Sequence, residues 1–172
     1  MTDPARTGDP AALAAGLPGG AGVILRLFGA AGGEAVARRV RAASPSLPLL
    51  VGADARLAAR IGADGVHLPQ RLAHHARRLK RARPGWLVTA AAHDLASARR
   101  AAAFGADAVI LSVVFESRSA SAGRQMGALR FAILTRRVDA PVYALGGVNA
   151  RNVRRLLGSR AIGIAAVDAF RT

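Results

Sequence analysis

Short apolar runs alternate along the chain with longer segments in which apolar residues recur every three or four positions. The short runs are apolar on both faces, as buried parallel strands are, and predict seven strands at residues 22–27, 48–52, 65–68, 86–91, 108–113, 141–146 and 162–166. The longer segments predict helices at residues 9–17, 33–43, 54–61, 71–82, 94–104, 125–138 and 149–157. This alternation predicts a parallel sheet covered by helices.

One helix-to-strand joint occurs twice, as IGADGVHL at residues 61–68 and FGADAVIL at 104–111, with a degenerate third copy at residues 160–165. The glycine is expected to end a helix in the left-handed conformation and the aspartate to bind the amides of the turn. Such repeats favour a (β/α) barrel or an open doubly wound sheet. The GAAGG segment at residues 29–33 lacks the glycine spacing of a dinucleotide-binding loop, so we favour the barrel.

Length and composition indicate one globular domain covering residues 1–172. The chain has no cysteine, which excludes a disulfide scaffold, and its 52% hydrophobic content excludes a disordered chain. No apolar run approaches the roughly 18 residues of a spanning helix, and the N-terminus does not resemble a secretion signal. We therefore expect a cytoplasmic protein with no membrane partner.

The charge balance is strongly basic, with 25 Lys and Arg against 10 Asp and Glu, and Lys80 is the only lysine. Such a field attracts anions, including phosphorylated metabolites and nucleic acid. The densest basic run, at residues 71–83, has no interleaved aromatic residues, so a solvated outer helix is favoured over a nucleic-acid surface.

Four segments in collinear order carry a resemblance to a known family: GADGVHL at residues 62–68, Ala92-His93, Val114-Phe115 and ALGG at 144–147. Together they resemble the thiamine phosphate synthase and thiazole tautomerase family over essentially the whole chain. The resemblance implies a TIM (β/α)8 barrel. Because Met1-Thr2-Asp3 is similar to the end of that family's first strand, we expect the first strand to be truncated at the N-terminus.

A truncated first strand has a physical consequence. It exposes the edges of the predicted strands at residues 22–27 and 162–166, which invites pairing with another chain. A homo-oligomer is one outcome of such pairing. The same exposure is a reason to expect a start placed too far along the gene.

In the synthase branch of the family, a Gln-x-Arg-x-Lys strand holds a pyrimidine diphosphate and two aspartates hold magnesium. Of that strand this chain keeps only Arg26, because Ile24 and Phe28 stand at the other two positions. The Asn-Asp pair of the next strand is replaced by residues 52–53, Gly-Ala, and the second aspartate by Leu72. We therefore expect no metal site and no cofactor, with magnesium required only if the chain is a synthase.

The resemblance also implies contacts to a substrate phosphate. Ser117 and Ser119 replace threonines of a phosphate-binding loop, and Gly146 and Gly147 are kept. Val167 and Asp168 stand where backbone amides bind phosphate after the last strand. An ionised Asp168 repels phosphate unless it turns away to cap the following helix.

The tautomerase branch is the closer likeness at VHLP, residues 66–69, and VFES, residues 114–117. There a histidine at the end of the fifth strand moves a proton during aromatisation of a thiazole carboxylate phosphate, and the resemblance implies that His93 has this role. Histidine titrates near neutral pH, which suits a proton shuttle. His67, one residue before the end of its strand, is expected to be structural.

We therefore expect tautomerase-like proton transfer on a small phosphorylated thiazole. One alternative is thiamine phosphate synthase, which condenses thiazole phosphate with pyrimidine diphosphate. The other is a non-catalytic barrel that binds a phosphorylated ligand or, less favoured, nucleic acid.

Overall fold

The computed structural model describes residues 1–117 and 123–167, so Ser119 and Asp168 lie outside the described residues. Seven parallel strands form one sheet in sequential order. They are β1 Val23–Leu25, β2 Leu49–Gly52, β3 Gly65–Leu68, β4 Leu87–Ala92, β5 Ala108–Ser112, β6 Val142–Leu145 and β7 Ala161–Ala165. The predicted strands are confirmed in number, order and direction.

Helices connect the strands and cover the outer side of the sheet. They are α1 Pro10–Ala15, α2 Gly33–Ala43, α3 Ala55–Arg60, α4 Ala76–Ala82, α5 Leu95–Ala103 and α6 Gly127–Thr135, with 3₁₀ helices at Gln70–His75 and Val153–Leu156. Alanines occupy much of the inner helix surface, so the helices approach the sheet closely. No helix in the described part of the chain is long and apolar enough to cross a lipid bilayer.

Two predicted helices differ from the structure. The segment at residues 71–82 divides into a 3₁₀ helix and α4. The segment at 149–157 keeps only a short 3₁₀ helix, because asparagine side chains there bind the local backbone. Asn152 Oδ1 accepts from the Asn149 amide at 2.9 Å and its Nδ2 donates to the Gly147 carbonyl at 2.8 Å. Such local bonds compete with helix formation.

The first three residues close the sheet at its carboxyl-terminal end. The Met1 amino nitrogen donates to the Ala166 carbonyl at 3.0 Å, just after β7, and the Thr2 amide donates to Ile24 in β1 at 2.8 Å. Thr2 Oγ1 also accepts from the Arg26 amide at 2.9 Å. The curled sheet is therefore a TIM barrel with a truncated first strand, as predicted, and β1 and β7 form its two edges.

The repeated joint has a different role from the one predicted for its aspartates. Asp64 Oδ2 accepts from the Leu49 amide and Asp107 Oδ2 from the Val88 amide, each at 2.7 Å. These amides lie in β2 and β4, the strands before each joint, and not in the turn. Each carboxylate also pairs with a cation of the preceding helix, Arg41 in α2 or Lys80 in α4. Each aspartate therefore connects three elements: the strand before the joint, the helix before that strand, and the strand that the joint begins.

Candidate functional site

The carboxyl-terminal ends of the strands bring most of the predicted site residues to one rim, where TIM barrels place their active sites. Arg26 follows β1, His93 follows β4, Ser112 ends β5 and Gly146 follows β6. Loops after parallel strands emerge at the same edge, so residues far apart in the chain share this rim.

His93 is exposed and is held in place from both its backbone and its ring. Its amide donates to Ser97 Oγ at 3.1 Å, within the capping box that begins α5. Its ring Nδ1 lies 3.0 Å from Ser112 Oγ and 3.2 Å from the Ser112 carbonyl oxygen. A carbonyl oxygen only accepts, so this contact favours a hydrogen on Nδ1 and leaves Nε2 as the basic nitrogen. The geometry thus suits proton transfer at Nε2.

Arg26 is half-buried at the end of β1 and turns toward the strands beside it. Its guanidinium carbon lies 4.4 Å from the centre of the Phe28 ring, and Nη1 donates to Met1 Sδ at 3.5 Å. The side chain fits against Gly52, where an added Cβ would lie 3.3 Å from Arg26 Cγ. Burial lowers the pKa of Arg26, and the charge of Asp3 opposes this shift. Arg26 forms no ion pair with a carboxylate among the described residues, so its charge is available to an anion.

His67 lies inside the barrel near Arg26, a proximity that its position in the sequence did not predict. It is buried in β3, and its Nδ1 lies 2.9 Å from Thr89 Oγ1 in β4. Burial, followed by the charges of Arg26 and the Met1 amino group, lowers the pKa of His67 to about 4. The ring is therefore neutral at physiological pH. Its proximity to Arg26 results from the curvature of the sheet, which the strand pattern does not reveal.

Gly146 and Gly147 have a structural reason to be glycines. Their φ angles are +98° and +64°, which favour glycine. An added Cβ would lie 2.7 Å from Val113 Cγ1 at Gly146 and 2.1 Å from the Glu116 carbonyl oxygen at Gly147. The pair therefore lets the loop after β5 pack directly against the end of β6, and its contact with phosphate stays a prediction.

Two of the remaining predicted phosphate contacts, Ser117 and Val167, lie among the described residues. Ser117 is half-buried five residues after β5, and Val167 is half-buried two residues after β7. A further cation lies here: Arg155 of the 3₁₀ helix Val153–Leu156 stacks on Phe115, with its guanidinium carbon 5.2 Å from the ring centre. The basic composition of residues 151–160 was the only sequence signal for Arg155.

The described residues do not fit magnesium. Oxygen ligands from carboxylates are what this ion requires, yet Gly52, Ala53 and Leu72 occupy the positions expected to supply them. In the described ranges, no group of three or more His, Cys, Asp or Glu side chains comes close enough to hold a metal ion.

The family model and the similar proteins found by comparison point to one family. The model of the thiamine monophosphate synthase family matches residues 29–170. A putative thiamine-phosphate synthase 2 of Aquifex aeolicus is 33% identical over 137 residues, which cover 78% of this chain and 73% of that protein. A thiamine-phosphate synthase of Methanoculleus marisnigri is 39% identical over 111 residues, 63% of this chain and only 52% of that protein. The chain thus matches between half and three quarters of the length of these relatives.

Solved structures support the same fold. Thiamine phosphate pyrophosphorylase from Pyrococcus furiosus superposes with a TM-score of 0.78 at 24% identity, covering 96% of this chain and 82% of that one. FabK from Thermotoga maritima gives 0.79 at 20% identity, covering 99% and 57%. At these identities the likeness concerns the barrel alone. The collinear motifs, the truncated barrel and the family match over residues 29–170 together establish that this chain belongs to the thiamine monophosphate synthase family.

Proposed function

We propose that this chain catalyses the coupling for which its relatives are named, the formation of thiamine phosphate from a thiazole phosphate and a pyrimidine diphosphate. The family match over residues 29–170 is the observation that supports this proposal. It reverses our sequence-based order of preference, because the named relatives are synthases and not tautomerases. In the coupling, the thiazole nitrogen bonds to the pyrimidine methylene carbon while the carbon–oxygen bond to diphosphate breaks and diphosphate leaves.

Arginine is the group that this chain offers to the leaving diphosphate. Arg26 supplies a half-buried cation at the end of β1 without a carboxylate partner among the described residues. Preorganised cations stabilise charge that develops on a leaving group, particularly where water is partly excluded. The ring of His67 beside it is neutral, so Arg26 supplies the positive charge at this point of the site.

The test is thiamine phosphate formation from the two substrates, measured for the wild-type protein, Arg26→Met and the matched control Arg56→Met. We expect Arg26→Met to lower kcat/KM by about a hundredfold, as loss of one transition-state contact does. Arg56 is exposed on α3 and makes no hydrogen bond or ion pair among the described residues, so its loss should leave the rate unchanged. A folded wild-type protein that forms no thiamine phosphate overturns the proposal.

Tautomerase-like proton transfer is the second candidate, and the contact of His93 with Ser112 favours it. With a hydrogen on Nδ1, Nε2 can remove a proton from one carbon of a thiazole carboxylate phosphate and return it elsewhere on the substrate. We expect His93→Gln to slow this conversion by about a hundredfold. The Ser112→Ala variant keeps the contact between the Ser112 carbonyl oxygen and the His93 ring. We therefore expect its rate to fall by a smaller factor, about tenfold or less. Equal rates for wild-type protein and His93→Gln exclude this candidate.

A further inference from the structure

A basic surface extends along α4 to the end of the barrel opposite the rim that carries Arg26 and His93. It combines the exposed side of α4 with the loop that leads into β4, and we call it the α4 surface. Its members are Arg77, Arg78, Arg81, Arg83 and Trp86. Because this loop precedes β4, it lies at the amino-terminal end of the sheet, whereas the rim lies at the carboxyl-terminal end. The α4 surface is therefore separate from the site described above.

Carboxylates do not neutralise the α4 surface. The sequence has no Asp or Glu between Asp64 and Asp94, and Asp94 caps α5 at the opposite end of the sheet. The aspartates of the two repeated joints are already paired, Asp64 with Arg41 and Asp107 with Lys80. A cluster of cations without carboxylate partners attracts polyanions.

Arg78 and Arg81 are available to an external anion. Both are exposed, and neither guanidinium forms a hydrogen bond or an ion pair among the described residues. They stand three positions apart on α4, so their side chains lie on the same side of the helix. Arg77 precedes them and donates from Nη2 to the Ala103 carbonyl at 2.9 Å. A chain of phosphates can therefore contact Arg78 and Arg81 together.

The loop after α4 supplies the aromatic group that the basic run at residues 71–83 lacks. The guanidinium carbon of Arg83 lies 5.6 Å from the centre of the Trp86 ring, within the range of a cation–π contact. The Trp86 amide donates to the Arg83 carbonyl at 3.0 Å, and Lys80 Nζ donates to the Trp86 carbonyl at 3.1 Å. An added Cβ at Gly85 would meet no atom within 4 Å, so the loop is open beside this pair. Aromatic rings and guanidinium planes are the groups on which unpaired bases stack.

We propose that the α4 surface binds single-stranded nucleic acid, with Arg78 and Arg81 on neighbouring phosphates and a base stacked on the Arg83–Trp86 pair. A single strand is favoured over a duplex because only an unpaired base exposes its face to a protein side chain. It is favoured over an acidic peptide because carboxylates bring no ring to this pair. The proposal reverses the preference for a solvated helix, which rested on the absence of aromatic residues within the run.

The first test is binding of a fluorescein-labelled oligothymidylate of about 12 nucleotides, followed by fluorescence anisotropy at several salt concentrations. We expect Arg78→Ala/Arg81→Ala to weaken binding by about tenfold or more at low salt. The slope of log K against log salt should become shallower by about 1.4, as loss of two phosphate contacts to a single strand predicts.

The matched control is Arg56→Ala/Arg130→Ala, which removes the same charge from α3 and α6. Both arginines are exposed and form no hydrogen bond or ion pair with their side chains among the described residues. This control should weaken binding by less than about threefold, through net charge alone.

The second test separates stacking from charge. Trp86 is the only tryptophan, so its fluorescence reports on this loop, and we expect oligothymidylate to quench it. Arg83→Lys keeps the charge but loses the planar group. It should weaken oligothymidylate by about fivefold, and inorganic polyphosphate by less than about twofold, because polyphosphate has no base to stack.

Equal losses in the two double variants would show a general attraction of anions to a basic protein and overturn the proposal. Unchanged Trp86 fluorescence at saturation would place the strand elsewhere and overturn it as well. Tighter binding of a duplex, polyphosphate or polyglutamate than of oligothymidylate would assign the surface to that class of partner instead. Arg26→Met should bind the oligonucleotide as the wild-type protein does. Neither test requires turnover, so a failed synthase assay and a failed α4 surface are distinguishable.

Discussion

Gly65 illustrates how closely the backbone of neighbouring strands constrains single positions. A Cβ at this residue would lie 1.9 Å from the carbonyl oxygen of Leu87, far inside van der Waals contact. The neighbouring atoms are backbone atoms, which cannot rotate away as a flexible side chain can. The glycine of GADGVHL is therefore required by packing, whereas the second copy of the joint carries Ala108 at the equivalent place.

Gly65→Ala should lower the free energy of unfolding by about 3 kcal/mol or more, because β3 or β4 must shift to relieve the overlap. Gly85→Ala is the matched control, since nothing lies within 4 Å of its added Cβ. We expect this control to change the free energy by less than about 0.5 kcal/mol. Chemical denaturation of both variants measures the difference, and equal stabilities would contradict the close approach.

His67 makes stability depend on pH. Its pKa is about 4 in the folded protein and about 6.5 in an unfolded chain, chiefly because burial disfavours the charged ring. Between these values the unfolded chain binds a proton that the folded protein does not. The free energy of unfolding therefore rises with pH from about 4 to 6.5, by at most about 3 kcal/mol, and then levels off.

His67→Gln should flatten that rise, because the titrating ring is gone. Denaturation at several pH values between 4 and 7 measures the slope for each protein. His74→Gln, which removes an exposed histidine, should keep the wild-type slope. If His67→Gln and wild-type slopes coincide, His67 is not held neutral in the folded protein.

At the scale of elements, four arginines connect an outer helix to the helical segment that follows it in the chain. Guanidiniums from α2, α4, α5 and the residue after α6 donate to carbonyls at or just after the end of the next α or 3₁₀ helix. The pairs are Arg38 to Arg60, Arg77 to Ala103, Arg99 to Arg137 and Arg136 to Gly158. The last carbonyls of a helix have no hydrogen-bond partner within the helix, and a cation at this end also interacts favourably with the helix dipole. Part of the arginine excess therefore has a structural use that composition alone does not reveal.

Arg99→Met should lower the free energy of unfolding by about 1 kcal/mol, since it removes the 2.9 Å bond from α5 to the Arg137 carbonyl. Methionine keeps an unbranched side chain and good helix propensity. Arg78→Met provides the comparison, because Arg78 is exposed on α4 and makes no such bond in the described structure. Thermal unfolding of the two variants should separate them, and identical midpoints would show that the carbonyl contact contributes nothing.

At the scale of the whole molecule, the barrel has an open seam. Among the described strands, β7 pairs only with β6, and all five of its residues are half-buried or exposed, whereas every residue of β5 is buried. Met1 reaches Ala166 above the end of β7 and leaves the strand itself without a second neighbour. Edge strands exchange their amide hydrogens more readily than central strands.

Hydrogen exchange should therefore be faster in Ala161–Ala165 than in Ala108–Ser112 at low protein concentration. Mass spectrometry of peptides covering the two strands measures the ratio. Protection of β7 that increases with protein concentration would indicate that a second copy covers the edge. Equal protection of both strands at every concentration would contradict an open seam.

The order and direction of the elements could be predicted from the sequence, because strand and helix periodicity reflects the burial of each residue among its near neighbours. The truncated first strand was also predictable, from the likeness of Met1-Thr2-Asp3 to a strand end. The α-helix predicted at residues 149–157 is not formed. Asn149 and Asn152 take part in hydrogen bonds with local backbone groups, which the periodicity of apolar residues does not reveal. Local chemistry can therefore override a correct apolar pattern.

The sequence by itself determined the fold class, the family and the candidate residues Arg26 and His93. Only the tertiary structure decided that His93 contacts Ser112 and that His67 lies near Arg26. Periodicity depends on neighbours within a few positions, but these contacts join residues about twenty or more positions apart through the curvature of the sheet. Distances of that kind are set by how strands pack and bend, and the linear pattern contains no direct measure of them.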